Sequence, residues 1–388
     1  MKYAMQIIQE VTKIYEDQPT VQVLPLPEGT KMTIVGDLHG QLQDLFTIFT
    51  INGLPTPKNQ YFFNGDFVDR GYYGVEIVLT IFAFKLLYPH AVHMNRGNHE
   101  CRQQNAYMGF EDEVLYKYDG TDFGDTNRAW RIYDAFHEAF QALPLAATLG
   151  GKVAIFHGGL FGKRQITFKH INAIQRKREP PLEGTSLQDQ LFEQILWSDP
   201  RPTQHFPVQV RWWKPSDRGA GVEFGVEMTN QFCRRNKVAL IIRSHECVQD
   251  GYEVLHGGRL ITIFSASHYC QKNNNKGAFI TFTHKMEPEI QQFVAHQISD
   301  FNISSFEEGA KVEVSKEDNS NDTKTDESGD KKKTRGATDA DTKESRTEQE
   351  ERMMKDTIRM ISERIIDGKV DLYWWYVRVL KLNHEFKP

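Results

Sequence analysis

The chain has 388 residues, 39% of them apolar, 12% aromatic and 26% charged, with four cysteines and a net charge of −5. That composition excludes a collagen-like, disulfide-framework or wholly disordered chain, and the length fits one large domain with appendages or two ordinary domains. Residues 307–352 carry 15 acidic and 10 basic side chains, so the rest is formally neutral, which speaks against a nucleic-acid binder driven by overall charge.

No apolar run reaches the roughly 18 residues of a membrane-spanning helix, and the first ten residues turn polar too early for a secretory signal core. Cys101, Cys233, Cys247 and Cys270 form no C-x-x-C pair. They read as free thiols in a reducing compartment, which makes the cytoplasm the expected location. The basic knot Lys331-Lys332-Lys333 leaves a nuclear location open, although such a run reads first as a solvated charge patch.

In chain order, Ile7, Ile8, Val11, Ile14 and Tyr15 predict an amphipathic N-terminal helix. A short β-type run is then followed at once by metal-type residues, five times over. Met32–Val35 leads into Gly36-Asp37-Leu38-His39-Gly40, and Tyr61–Asn64 into Gly65-Asp66-Phe67-Val68-Asp69-Arg70-Gly71. A helix is expected over Gly74–Tyr88, with Val75, Val78, Leu79, Phe82 and Leu86 on one face and Pro89 beyond its end. Val92–Asn95 leads into Arg96-Gly97-Asn98-His99-Glu100, Val153–Phe156 into His157-Gly158-Gly159, and Ala239–Ile242 into Arg243-Ser244-His245-Glu246.

Strands alternating with helical segments indicate an α/β or mixed-sheet fold whose site lies beyond the carboxyl ends of the strands. Those loops bring Asp37, His39, Asp66, Asn98, His157 and His245 toward one point. Oxygen and imidazole donors without thiolate suit Mn, Fe or Zn, and also Mg. Six such donors exceed the needs of one four-coordinate ion and suit two ions sharing a carboxylate, as in phosphoryl-transfer sites. A lone His or Gly-Asp at a strand end is ordinarily structural; the ordered set of five carries the argument.

At these residues the chain resembles the metal-dependent Ser/Thr phosphoprotein phosphatases of the calcineurin-like phosphoesterase fold. The resemblance runs over roughly residues 5–297, through Leu196-Trp197-Ser198-Asp199-Pro200, Arg218-Gly219, Ser244-His245-Glu246 and Phe264–Cys270. It is strongest with type 5 and EF-hand-bearing phosphatase catalytic domains, although no Asp-x-Asp-x-Asp-Gly calcium loop is present. The implied fold is a central β-sandwich of mixed sheets flanked by helices. The implied reaction is hydrolysis of phosphoserine or phosphothreonine by a metal-bridged hydroxide, without a phosphoenzyme. By resemblance, Asp37, His39 and Asp66 hold one metal, and Asp66, Asn98, His157 and His245 the other. Arg70 and Arg218, with Asn98 and Tyr269 beside them, bind phosphate, while His99 is the general acid and Asp69 its orienting partner. The family has Pro-Asn where this chain has Ser267-His268.

Four segments remain outside those motifs. Asn273-Asn274-Asn275 reads as a flexible loop, and the Pro200–Pro215 insert places Arg211-Trp212-Trp213-Lys214 over the body or on a docking patch. Ser315–Arg352 has no Val, Ile, Leu, Met or aromatic residue, so 307–352 is expected to be a disordered linker after a 1–306 catalytic domain. Residues 353–388 regain helical spacing at Met354, Ile358, Ile361 and Ile365 and end in the apolar run Leu372–Leu380. They are expected to form a regulatory or docking helix, bound to the body or to a protein partner.

Overall fold

The computed structural model describes residues 2–118, 127–181, 184–202 and 212–295. The expected linker 307–352, the segment 353–388 and Arg211 lie outside them. The strands are β1 Val21–Leu24, β2 Lys31–Val35, β3 Asn59–Phe63, β4 Val92–Met94, β5 Ala146–Leu149, β6 Val153–Phe156, β7 Asp199–Pro200, β8 Trp213–Pro215, β9 Val222–Phe224, β10 Leu240–Arg243, β11 Tyr252–Leu255, β12 Leu260–Ile263, β13 Gly277–Thr283 and β14 Glu289–Phe293. The helices are α1 Lys2–Glu16, α2 Leu42–Asn52, α3 Gly74–Leu87, α4 Arg102–Met108, α5 Phe110–Tyr118, α6 Asn127–Ala142, α7 Phe168–Asn172, α8 Leu187–Trp197 and α9 Val226–Asn236.

All five ligand-bearing runs are strands, but they divide between two sheets. β2, β3 and β4 run parallel in a sheet ordered β14-β13-β2-β3-β4, closed on one side by antiparallel β13 and β14. β6 and β10 are parallel neighbours in the other, ordered β1-β5-β6-β10-β12-β11. A third, smaller sheet joins β7, β9 and β8.

Side-chain alternation explains the layering. Met32, Ile34 and Phe62 point to the same apolar layer as Val153, Ile155, Leu240 and Ile242, which fills the space between the two large sheets. Their neighbours Val35, Tyr61 and Phe63 face a second layer under α1, α2, α3, α5 and α6. Ala154, Phe156 and Ile241 face a third with α8 and α9. Strands covered on both faces read as continuous apolar runs, which is how the sequence presents them.

The N-terminal helix forms as expected and buries Ile8, Val11 and Tyr15. Helix α3 departs from the one-face expectation. Ile77, Thr80, Ile81, Phe84 and Lys85 are buried along with Val75, Val78 and Phe82, while Leu79 and Leu86 are only half-buried. The helix lies beneath other helices as well as against the sheet, so its covering is nearly complete. Trp212 packs on the body with Arg164 stacked 3.7 Å from its ring centroid, and Trp213 closes over Gly162.

Candidate active site

The predicted residues converge where the carboxyl ends of the two sheets meet. Asp37 follows β2, Asp66 follows β3, Asn98 follows β4, His157 follows β6 and His245 follows β10. All are at least nine-tenths buried, as is His39. Tight backbone turns bring them this close. His39, Asp66, Asp69, Arg70 and His245 all have positive φ, a costly conformation for side-chain-bearing residues that persists where the surroundings over-determine it. Gly97 is required sterically, because a Cβ there would collide with Asp66 Oδ1.

The proton inventory shows what this cluster can hold. His39 Nδ1 donates to Val68 O at 3.0 Å, which leaves a lone pair on Nε2. That nitrogen faces Asp66 Oδ2 at 3.5 Å and Asp37 Oδ2 at 3.7 Å. His157 Nδ1 donates to Asn64 O at 2.8 Å, so its Nε2 faces Asn98 Oδ1 at 2.9 Å and Asp66 Oδ1 at 3.3 Å. His245 Nε2 and Asp37 Oδ2 are buried with no hydrogen-bond partner. The other oxygens, Asp66 Oδ1 and Asp37 Oδ1, accept the His99 and His245 amides at 3.0 and 3.1 Å, and buried acceptors left unpartnered beside them are the arrangement expected around cations. Two carboxylates, three imidazoles and an amide oxygen are a donor set that fits divalent cations, and Asp66 belongs to both candidate groups.

The charges agree with that fit. Burial and then the Asp66 charge push Asp37 up to about 7. Burial opposes a charged His157, yet Asp66 outweighs it and lifts that imidazole to about 9. In the protein alone a proton thus occupies ground that a metal cation would take over.

Beside this cluster, His99 Nδ1 lies 2.7 Å from Asp69 Oδ2. Asp69 is itself fixed by Asn105 Nδ2 and by the Phe110 amide, each donating at 2.9 Å. His99 Nε2 points back to Asp66 Oδ2 at 4.0 Å, and its ring meets His39 edge-on at 4.7 Å. Arg70 is exposed at the rim. Arg218 donates Nε to Asp199 Oδ2 at 2.6 Å, and Asp199 is anchored from behind by buried Arg243 at 2.9 Å. Tyr269 stands over His39 with ring centroids 5.2 Å apart. Trp197 packs edge-on against His245 at 5.5 Å.

Several supporting residues had no role in the sequence reading. The Glu100 carboxylate accepts the amides of Asp66, Phe67 and Gly97, each at 2.8 Å, which fixes the turn that presents Asp66. Its place inside a motif was the only signal. Asn105 lies 36 residues from Asp69, and no local pattern announces that contact. Asn275 corrects the flexible-loop expectation. It is buried, accepts the Tyr269 amide at 2.9 Å and donates to Ala266 O at 2.8 Å. An asparagine side chain mimics a turn's backbone, so composition alone cannot separate it from loop filler.

Comparison with known proteins agrees with this geometry. Residues 30–249 match the family model of calcineurin-like phosphoesterases. Over 295 residues the chain is 44% identical to serine/threonine-protein phosphatase 5 of Arabidopsis thaliana and 42% identical to the Homo sapiens protein of that name. Those alignments take in 76% of this chain but 51% and 54% of the relatives, so it spans about half the length of the curated relatives it matches. A solved protein serine/threonine phosphatase from Saccharomyces cerevisiae, with similarity to human phosphatase PP5, aligns with a TM-score of 0.68 at 33% identity, over 77% of this chain and 91% of that one. A cold-active protein-tyrosine phosphatase of a psychrophilic Shewanella shares the fold, with a TM-score of 0.51 at 16% identity.

Proposed function

The chain belongs to the calcineurin-like phosphoesterase family, and on that basis we propose that it hydrolyses phosphoserine and phosphothreonine in proteins at a two-metal site. The observation that carries this reading is the His99–Asp69 pair, held at 2.7 Å beside the lone-pair cluster with Arg70 and Arg218 at its rim. The serine/threonine phosphatase names of the similar proteins support the substrate class.

Asp37, His39 and Asp66 would hold one ion, and Asp66, Asn98, His157 and His245 the other. Bound there, the ions supply an activated water and neutralise charge on the phosphoryl group. Mn, Fe, Zn and Mg all accept such donors.

The remaining steps belong to the side chains. Arg70 and Arg218 grip phosphate oxygens, and Asp199 directs Arg218 by taking its Nε, which leaves the terminal nitrogens for the substrate. His99 gives its Nε2 proton to the departing Ser or Thr oxygen while Asp69 stabilises the imidazolium through Nδ1. Direct attack by water needs no phosphoenzyme. Cys101, which follows Glu100, is buried with its Sγ donating to Asn98 O at 3.2 Å, so it is not offered as a nucleophile.

The test is phosphate release from a phosphothreonine peptide with added Mn²⁺, in the unaltered chain and in His99→Asn and Asp66→Asn. Release that collapses in both variants is expected. Faster turnover of a diester such as bis-p-nitrophenyl phosphate than of the peptide would overturn the assignment.

A further inference from the structure

The loop Ser267–Gln271 carries Tyr269 over the site and departs from the family pattern at Ser267-His268. It is strained: His268, Cys270 and Gln271 have φ of 47°, 55° and 56° within four positions. Side-chain-bearing residues hold such angles only when their surroundings leave no alternative. Asn275 restrains the loop from one side. On the other side stands Asp44 in the first turn of α2, 2% exposed and without a cationic hydrogen-bond partner. Its Oδ1 accepts both the amide of Ser267 at 3.0 Å and the hydroxyl of Ser267 at 2.6 Å. Its Oδ2 accepts Gln41 Nε2 at 2.7 Å, and the same Gln41 amide donates to Ser267 O at 2.7 Å. Gln41 Oε1 also accepts the Cys270 amide at 3.3 Å.

Every hydrogen-bonding atom of Ser267 is therefore engaged. Its Oγ has a further role: it accepts the amide of Ala295, just beyond β14, at 3.0 Å. A proline here could supply neither the hydroxyl nor the amide to Asp44.

We propose that Asp44 and Ser267 are positioning residues that hold Tyr269 over the phosphate-binding site. Through Ser267 Oγ, the chain leaving β14 is tied to the same loop. The role rests on the phosphatase reading above. Asp44 anchors Ser267, Ser267 fixes where the loop starts, and Tyr269 follows two residues later with its ring wedged between His39 and Phe264 at 5.2 and 5.0 Å. Loss of the hydroxyl leaves the buried carboxylate one donor short and frees the Ala295 amide. The strained loop then relaxes and Tyr269 leaves its station.

The experiment combines Ser267→Ala, Ser267→Thr, Tyr269→Phe and the double variant Ser267→Ala/Tyr269→Phe. KM and kcat are measured on the phosphothreonine peptide, and amide hydrogen exchange on the same proteins. Ser267→Ala should raise KM about tenfold, more than it lowers kcat, since misplacement of a positioning group is felt at the substrate. Ser267→Thr, which keeps the hydroxyl, should restore it. In the Tyr269→Phe background Ser267→Ala should add little, because residues acting through one another are not additive. An equal KM rise in both backgrounds, or a loss of melting temperature that accounts for the effect, would overturn the proposal. Exchange separates this from failure of the phosphatase reading. Even if the peptide is not a substrate, Ser267→Ala should speed exchange at residues 267–271 and leave the strands unchanged, and unchanged exchange in that loop would sink the clamp.

Discussion

His99 sits where a charged imidazole should be hard to keep. Burial alone pulls its pKa down, but the Asp66 charge and the Asp69 hydrogen bond outweigh it and hold it above the usual value. A general acid works in its protonated form, so activity should fall as pH rises through the His99 pKa. Asp69→Asn removes one of the raising influences. The descending limb of the kcat/KM profile should then move to lower pH, and kcat should drop roughly a hundredfold or more; a pH–rate series on both proteins checks this. Gly97→Ala tests the ligand geometry separately. Its Cβ would collide with Asp66 Oδ1 and lie 2.5 Å from the Asp66 amide, so bound metal measured by elemental analysis should fall well below two ions per chain. The metal-type residues Asp37, His39, Asp66, Asn98, His157 and His245 were legible because they follow their strands within a few positions, whereas Arg70, Arg218, His99, Asp69 and Tyr269 were named only through the family resemblance. The residues that hold them were not. Asp44 and Ser267 are 223 positions apart and Asn64 and Ser244 are 180 apart, and only the folded chain brings such pairs together.

Among the elements, α3 departs most from its sequence expectation. An almost uniformly apolar helix has no stripe to read, so a single core face could not be assigned from spacing. Its one cation is buried with it. Lys85 Nζ donates to Pro89 O and Val92 O at 2.7 and 2.8 Å and lies 4.9 Å from the centre of the Tyr15 ring. Burial lowers its pKa to about 7. Between that value and the ordinary 10.5 the unfolded chain keeps the proton and the folded chain releases it, so stability should rise with pH. Urea unfolding at about pH 7 and 8.5, compared with Lys85→Met, isolates this contribution, because the other titrating groups are common to both proteins. The native chain should gain on the order of 1–2 kcal/mol relative to the variant across that interval. A flat difference would mean that Lys85 stays charged in the fold.

For the whole molecule, the sequence order of the motifs conceals a division. The resemblance implies a sandwich of two sheets, and the ligand-bearing loops come from both. Strands apolar on both faces carry no mark of which sheet they join, so the partition could not be read from the runs themselves. The consequence is energetic. Asp37, Asp66 and Asn98 hang from one sheet and His157 and His245 from the other, so ions between them would cross-link the sandwich. They would also relieve the repulsion between the Asp37 and Asp66 carboxylates, which in the protein alone helps push Asp37 up to about 7. A ligand that binds only the folded state stabilises it by mass action, by about 2.7 kcal/mol at a hundredfold excess over Kd. For a domain of nearly 300 residues that is a rise of about 4 °C in melting temperature. Mn²⁺ added to chelator-treated protein should therefore raise Tm by several degrees, and Asp66→Asn should largely abolish the rise, because Asp66 faces donors from both sheets. A rise of equal size in that variant would place the stabilising ions elsewhere. No rise in either protein, with metal bound, would mean that the unfolded chain holds the ions about as well as the folded one and that the ions do not cross-link the sheets.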